Sequence, residues 1–460
     1  MSMAPDKNHQ NPEEWVAQWR AHLLRQGAVN AADVEELESH LREQVTELQD
    51  TGLAADEAFL VAVKRIGSID AVSREFARAR SERLWKQLLA EPAGGGERTR
   101  GGRTDTAVII GLAFVAALAI KVPELFGHHF GSAASVGFYA RNAALFVLPL
   151  LAGYFLWRRG WDRVRCLLLA LPFVAAAVLA NASPFEPQGA TGTLAAIHLP
   201  IALWLAVGVA YAGGRWNSVA GRMDFVRFSG ELFIYYVLFA LGGGVLALFT
   251  GTMFDTIGLQ VGWLLESWLL PCGALGAVLV GAWLVEQKQS VIENMAPVLT
   301  RVFTPLFSAV LLAFLVTMVW TGSGVDVERE VLIGFDLLLV LVVGLLLFAV
   351  SARDPQAPRD AFDALQQLLV VAALVVDVVA LAAIATRISE FGWSANKLAA
   401  LGENLILLVN LAGSAWLYAR FLRGAGTFAA LERWQTAYLP VYAVWAAIVV
   451  VVFPPLFGYR

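Results

Sequence analysis

The chain has 460 residues, of which 58% are hydrophobic and only 16% charged, and its mean hydropathy is +0.62. Soluble globular proteins are about half apolar and a quarter charged, so this composition excludes a wholly water-soluble chain. The formal net charge of −4 argues against a nucleic-acid partner.

The apolar excess begins after residue 104, which makes this a membrane protein with a polar N-terminal part. Met1 to Asp33 carries no apolar run of the kind a cleavable signal peptide needs. The two cysteines, Cys166 and Cys272, sit in or beside apolar runs and read as packing residues rather than a disulfide or a metal pair.

Residues 1–91 read as a small helical domain. Pro12-Glu-Glu suits a first helical turn over about 12–26. Asn30-Ala-Ala-Asp33 then precedes Val34, Leu37, Leu41, Val45 and Leu48 at helical spacing. Gly52 breaks that pattern, a third helix is expected over about 55–66, and a fourth over about 69–89 carries Val72, Phe76 and Trp85. Four short amphipathic helices are enough to bury one small core.

Three stretches carry a family likeness: Glu36-Leu-Glu-Ser-His-Leu-Arg-Glu43, Thr51-Gly-Leu-Ala-Ala-Asp-Glu-Ala58 and Ala62-Val-Lys-Arg-Ile-Gly67. On these, residues 12–90 resemble the permease prefix domain, a helical module found before bacterial membrane permeases. Ala54 stands where that family usually has Ser or Thr, which puts the cap of the third helix in doubt. The resemblance implies a cytosolic module attached to a bacterial inner-membrane protein. Residues 92–104, rich in Gly and Arg, read as a linker.

Residues 105–460 read as a multispan transmembrane helical domain. Eleven apolar runs are long enough for a hydrocarbon core of about 30 Å. They lie near 105–122, 140–157, 165–182, 194–212, 228–250, 261–284, 302–320, 331–350, 365–385, 398–421 and 438–457. The fold class is therefore all-α: a polytopic transmembrane bundle of about eleven spans with a small N-terminal cytosolic helical domain. Alternate loops differ in basic content. One set holds Arg158, Arg159, Arg163, Arg165, Arg215, Arg222, Arg227, Lys288, Arg301, Arg353, Arg359, Arg420, Arg423 and Arg433, while the other holds Lys121, Arg141, Arg329, Arg387, Lys397 and Arg460. That bias puts the N-terminus in the cytoplasm and the C-terminus outside.

Trp157, Trp204, Trp216, Trp263, Trp283 and Trp320 fall near expected span ends, as an aromatic belt would. Gly242, Gly243 and Gly244 interrupt the fifth span, and Gly273, Ala277 and Gly281 form a small-residue stripe on the sixth, which suits close helix approach.

From the fifth span onward, Gly230-Glu-Leu-Phe-Ile-Tyr-Tyr236 with Leu241-Gly-Gly243, and Arg387-Ile-Ser-Glu-Phe-Gly392 with Asn396-Lys397, resemble an uncharacterised bacterial multispan family, domain-of-unknown-function family 4153. That family has no established activity, so the likeness implies a multispan membrane protein and no substrate.

The candidate site residues are the polar groups set inside or at the ends of apolar runs: Asp377, Arg387, Glu390, Glu403, Asn410, Asp336 and Glu266. A charged side chain at the bilayer centre costs roughly 2.5–3.5 kcal/mol on insertion scales, so each needs a partner or a task. Glu403 and Asn410 are seven apart on the tenth span, hence on one face, and Ser414 continues it. One reading is an outward-facing polar cavity that holds a small solute. The other is fastening between helices, Arg387 with Glu403 and Asp377 with Asn410.

No metal site and no cofactor are expected, because His128, His129, His198, Glu124 and Glu186 lack ligand spacing on one helix. No P-loop, G-x-S-x-G, H-E-x-x-H or C-x-x-C occurs. An enzyme would have to work within the bilayer, and is the least favoured reading. The first functional expectation is a permease-like protein that moves or binds a small solute, with a cytosolic regulatory or docking domain. The alternative is a non-transporting membrane sensor or assembly partner that signals through the N-terminal domain. The expected partners are the lipid bilayer and a cytosolic protein docking on residues 1–91.

The arginine bias makes a direct prediction. In a background lacking Cys166 and Cys272, a cysteine at Ser183 labels with an impermeant reagent added outside intact cells, and one at Ser218 does not. Equal labelling of the two would contradict the topology.

Overall fold

A computed structural model describes Val16 and residues 31–50, 53–66, 98–287, 295–321 and 329–460. The helices expected over 12–26 and 69–89 lie outside the described residues apart from Val16, as do Asn30, Gly67 and the first part of the 92–104 linker. The chain divides into two compact units, Met1–Arg100 and Gly101–Arg460.

In the first unit, α1 (Ala31–Asp50) and α2 (Ala55–Ile66) pack as a helix pair. Leu41, Val45 and Leu48 recur at helical spacing on α1 and bury against Ala58 and Ala62 of α2 and against Val16. The alanines keep the pair close. Glu38 is buried beside this core, and Arg42 one turn later bonds it at 2.9 Å.

Among the described residues the second unit is all-helical, with eleven helices long and apolar enough to cross a membrane. They are α3 (Arg98–Ala119), α4 (Val136–Arg158), α5 (Arg163–Ala182), α6 (Ala190–Ala212), α7 (Val219–Thr256), α8 (Gly262–Gln287), α9 (Met295–Thr321), α10 (Arg329–Ala352), α11 (Ala361–Phe391), α12 (Ala395–Leu422) and α13 (Phe428–Val451). A short α14 (Phe453–Leu456) follows. The second half of the expected linker is helical, since α3 already starts at Arg98.

Span limits follow local chemistry. Asp162, Ser218, Asp360 and Ser394 each accept a backbone N–H in the first turn of α5, α7, α11 and α12. Asp360 and Asp363 form a reciprocal capping box, and Arg353 grips Asp363 with two bonds of 2.8 Å while lying over the Phe428 ring. At the other end of α11, Gly392 at φ +72° turns the chain. The Lys397 ammonium there donates to the carbonyls of Arg387 (3.1 Å) and Gly392 (2.8 Å), placing a cation at the carbonyl end of the helix.

Several expectations are corrected. Gly242–Gly244 do not interrupt the fifth span: α7 runs unbroken for 38 residues, about 57 Å. A Cβ on any of the three would meet nothing within 4 Å, so they mark no close helix approach. In the sixth span, Gly281 does seat Leu232 of α7, while Gly273 faces open space. The eleventh span starts ten residues earlier than expected, because Gln435 and Thr436, polar in sequence, are fully buried. Trp204 is no belt residue. It stacks on Phe228, and its indole N–H donates to Ser229 Oγ at 3.1 Å. Lys121, read as a loop residue, is buried. It pairs with Glu124, donates to the Ser267 carbonyl at 2.7 Å and lies 4.6 Å from the Trp268 ring. Residues Leu265–Leu269 there form a π turn in α8, and Lys121 accounts for one of its displaced carbonyls.

Close approach occurs at other glycines. A Cβ on Gly402 would fall 2.0 Å from the Trp445 ring, one on Gly413 2.1 Å from Trp434, and one on Gly230 2.2 Å from Phe348. Gly402 and Gly413 are eleven residues apart, three helical turns, so both lie on the face of α12 that meets α13.

The two classes of glycine respond oppositely to one substitution. Gly402→Ala and Gly413→Ala lower the melting temperature in detergent, with overpacking costing about 1–3 kcal/mol. Gly243→Ala leaves it unchanged or raises it, by up to about 1 kcal/mol from helix preference. Equal effects at the three positions would contradict the seating of the tryptophans.

Candidate functional site

With no water in the hydrocarbon core, a polar group there must find its partner within the protein. The rotation of α12 sorts its polar side chains among different neighbours. Asn404 turns to α10, where its Nδ2 donates to Asp336 Oδ1 at 2.7 Å. Asn410 and Ser414 turn to α13. Gln435 Nε2 donates to Ser414 Oγ at 2.6 Å and to Asn410 Oδ1 at 3.4 Å, and Asn410 Nδ2 returns a bond to Gln435 Oε1 at 3.4 Å. The Trp434 indole N–H adds a bond of 3.0 Å to the Asn410 carbonyl. This is interhelical fastening, each such bond worth on average about 0.6 kcal/mol in a membrane bundle.

Glu403 shares the α13-facing side with Asn410, as their spacing implies, but has no such partner. Among the described residues it makes no hydrogen bond or ion pair, and its electrostatic neighbour is Asp336. The expected pairing with Arg387 is not formed, because Glu403 faces α13 rather than α11. It lines a cavity of about 760 Å³ walled by α4, α6, α7, α8, α10, α12 and α13. The walls are almost wholly apolar, with Val147, Leu148, Leu205, Leu232, Val343 and Leu407 prominent.

Few polar groups reach this cavity. Tyr442 and Trp445 stand on the α13 wall, and the Tyr442 hydroxyl and the Trp445 indole N–H are both buried without a hydrogen-bond partner. His198 on α6 is buried, its Nδ1 held at 2.9 Å from the Leu194 carbonyl, so the other ring nitrogen is left as an acceptor in the neutral form. Ser229 and Tyr236 come from α7. Among the described lining residues Glu403 is the single charged group. Phe233, Ile201 and Val340 line the cavity and are also 65%, 43% and 44% exposed, so the cavity communicates with the lipid-facing surface.

The remaining candidates separate from this cavity. Asp377 on α11 is fully buried, both carboxylate oxygens lack a hydrogen-bond partner, and Asp336 is its electrostatic neighbour. Its expected bond to Asn410 is absent, because Asn410 is engaged by Gln435 on the opposite neighbour. Asp336 therefore stands within electrostatic reach of both Asp377 and Glu403, and the three acids form one group across α10, α11 and α12. Glu266 is exposed on the π turn of α8, about 18 Å along that helix from Val278 in the cavity wall. Glu390 is exposed in the last turn of α11, and Arg387 is half-buried one turn before it.

His128 stacks on Phe138, and Glu124 is taken by Lys121. Among the described residues no group of His, Cys, Asp and Glu has the arrangement to hold a metal ion.

Sequence reasoning found Glu403 and missed its surroundings. Asn404, Gln435, Tyr442 and Trp445 carried no motif. The one available signal was the pairing of glycines on the tenth span with tryptophans on the eleventh. Compared with protein-family models, curated proteins and solved structures, the chain matches none.

The Asp336–Asn404 bond sets up a test. Asn404→Leu leaves a carboxylate in the bundle without its donor, and Asp336→Leu removes the interhelical acceptor of the Asn404 amide, which keeps only its bond to the Ala400 carbonyl. Each lowers stability in detergent by about 1–3 kcal/mol, and the double variant recovers part of the loss. Simple additivity would mean that the bond does not form.

Proposed function

We propose that this polytopic membrane protein is permease-like and moves a small solute by way of the Glu403 cavity. The observation that supports this is a carboxylate with no hydrogen bond or ion pair among the described residues, facing a large apolar chamber amid the spans. An ionisable group inside a membrane marks a functional site when it faces a cavity rather than a partner, and apolar chambers with a few convergent polar groups are the usual form of small-molecule sites. The proposed setting is a bacterial inner membrane with the N-terminus inside, on the arginine bias of the loops. Residues 1–91 would then be a cytosolic regulatory or docking module, on their likeness to the permease prefix domain.

A permease must open its site to each side in turn, whereas a sensor or a static lipid pocket need not. Ile406 lines the chamber. In a background lacking Cys166 and Cys272, Ile406→Cys is expected to react with a charged, impermeant thiol reagent both in right-side-out and in inverted vesicles. Reaction from neither side, or from one alone, would refute the transport reading.

A further inference from the structure

Building on that reading, we infer that the solute class taken by the Glu403 cavity is a lipophilic cation: a positively charged centre on an apolar body. Charge, wall chemistry and access converge on it.

The charge argument starts from Glu403, the single charged group among the described lining residues, with no arginine or lysine beside it. Asp336 stands within electrostatic reach behind it, and Asp377 within reach of Asp336. The field at the cavity is therefore set by acids. An anionic solute would be repelled, and a neutral one would leave the carboxylate as it is. A cation completes a pair that the protein itself does not provide, and opposite charges attract strongly at low dielectric.

The wall chemistry is independent of this. Trp204, Tyr236, Tyr442 and Trp445 bring aromatic rings to the cavity lining, with Phe233 at its edge. Aromatic faces attract a cation with about 0.5–2 kcal/mol each, more when the centre is desolvated, and do not require it to donate a hydrogen bond. Aliphatic wall residues such as Leu407 and Val343 take the apolar body.

Access fits the same class. Phe233, Ile201 and Val340 belong both to the wall and to the exposed surface of the bundle. A lipophilic cation partitions into the bilayer and can reach this opening from the side, which a hydrophilic ion cannot.

The experiment uses the full chain in phosphatidylglycerol nanodiscs, with empty discs as blanks. Tetraphenylphosphonium and tetraphenylborate have the same shape and opposite charge. Radiolabelled tetraphenylphosphonium is expected to bind saturably at one site per chain, and tetraphenylborate not at all. Glu403→Gln, nearly isosteric, weakens the binding by at least about tenfold. Gly344→Phe also abolishes it: Gly344 lines the cavity and a Cβ there meets nothing within 4 Å, so the side chain leaves the backbone into open space.

Equal binding of the two probes, both lost in Gly344→Phe, would overturn the cation assignment and leave the cavity reading standing. Binding of the cation that Glu403→Gln does not change would do the same. No binding of either probe would overturn both. Phosphatidylcholine added to the discs separates the sources of cation. Displacement of the probe assigns the site to a lipid headgroup, and unchanged binding assigns it to a free solute, the cation chemistry being upheld in each case.

Discussion

The α12–α13 seam sets the geometry on which the candidate site depends. Inside a bilayer, helices gain nothing from burying apolar surface against one another, because lipid tails are equally apolar. Association rests on close packing and on buried polar bonds. The seam has both. Trp445 and Trp434 sit in the spaces left by Gly402 and Gly413, and the Asn410–Ser414–Gln435 group locks the register between them. Those fixtures determine the rotation of α12. Given that rotation, Asn404 meets Asp336 on α10, and Glu403 is turned toward the chamber with Trp445 at its side. Among the described residues Glu403 is thus left without a bonded partner by construction: its neighbours on the same helix are fastened, and the fastening turns it to the chamber.

The remainder of the bundle supports that arrangement from its ends. Lys397 closes the α11–α12 turn, and Arg353 ties the start of α11 to the aromatic rings of Phe421 and Phe428. On the far side of the chamber, Phe155, Tyr211, Phe225 and Phe228 form a packed aromatic nest between α4, α6 and α7. The chamber therefore lies between two firmly built blocks. Its one lining acid, Glu403, sits on α12, and its aromatic walls come from α6, α7 and α13.

Much of the fold was legible in the sequence, since a run of about twenty apolar residues has few structural outcomes. The expected spans and the observed helices match in number and order, and their ends differ most at α7, which runs well past both expected limits, and at α13, where buried polar residues blurred the signal. Gln435 and Thr436 depress local hydropathy and made α13 appear to start late, although they are buried because Asn410 and Ser414 await them. Buried position was legible too: Asp377 and Glu403 stand out in any apolar run. Partnership was not. Whether Glu403 meets Arg387 or a cavity depends on helix rotation, and rotation is set by small-to-large complementarity between spans, as at Gly402 and Trp445. Glycine alone misleads, since Gly242–Gly244 look like a breach and are plain lipid-facing helix. The stretch Leu265–Leu269 gave no sign of its π turn, because Lys121, which bonds it, lies 146 residues earlier.

The central claim is that the α12–α13 seam holds Glu403 toward an open chamber instead of toward a protein partner. A cryo-electron microscopy map of the full chain in lipid nanodiscs, at a resolution that shows side chains, tests it most directly. The account predicts Trp445 seated on Gly402, Gln435 bonded to Asn410 and Ser414, and the Glu403 carboxylate bordering a chamber between α6, α7 and α13. A map in which α12 is rotated so that Glu403 bonds Arg387 or another basic side chain, with the chamber filled by protein, would contradict it.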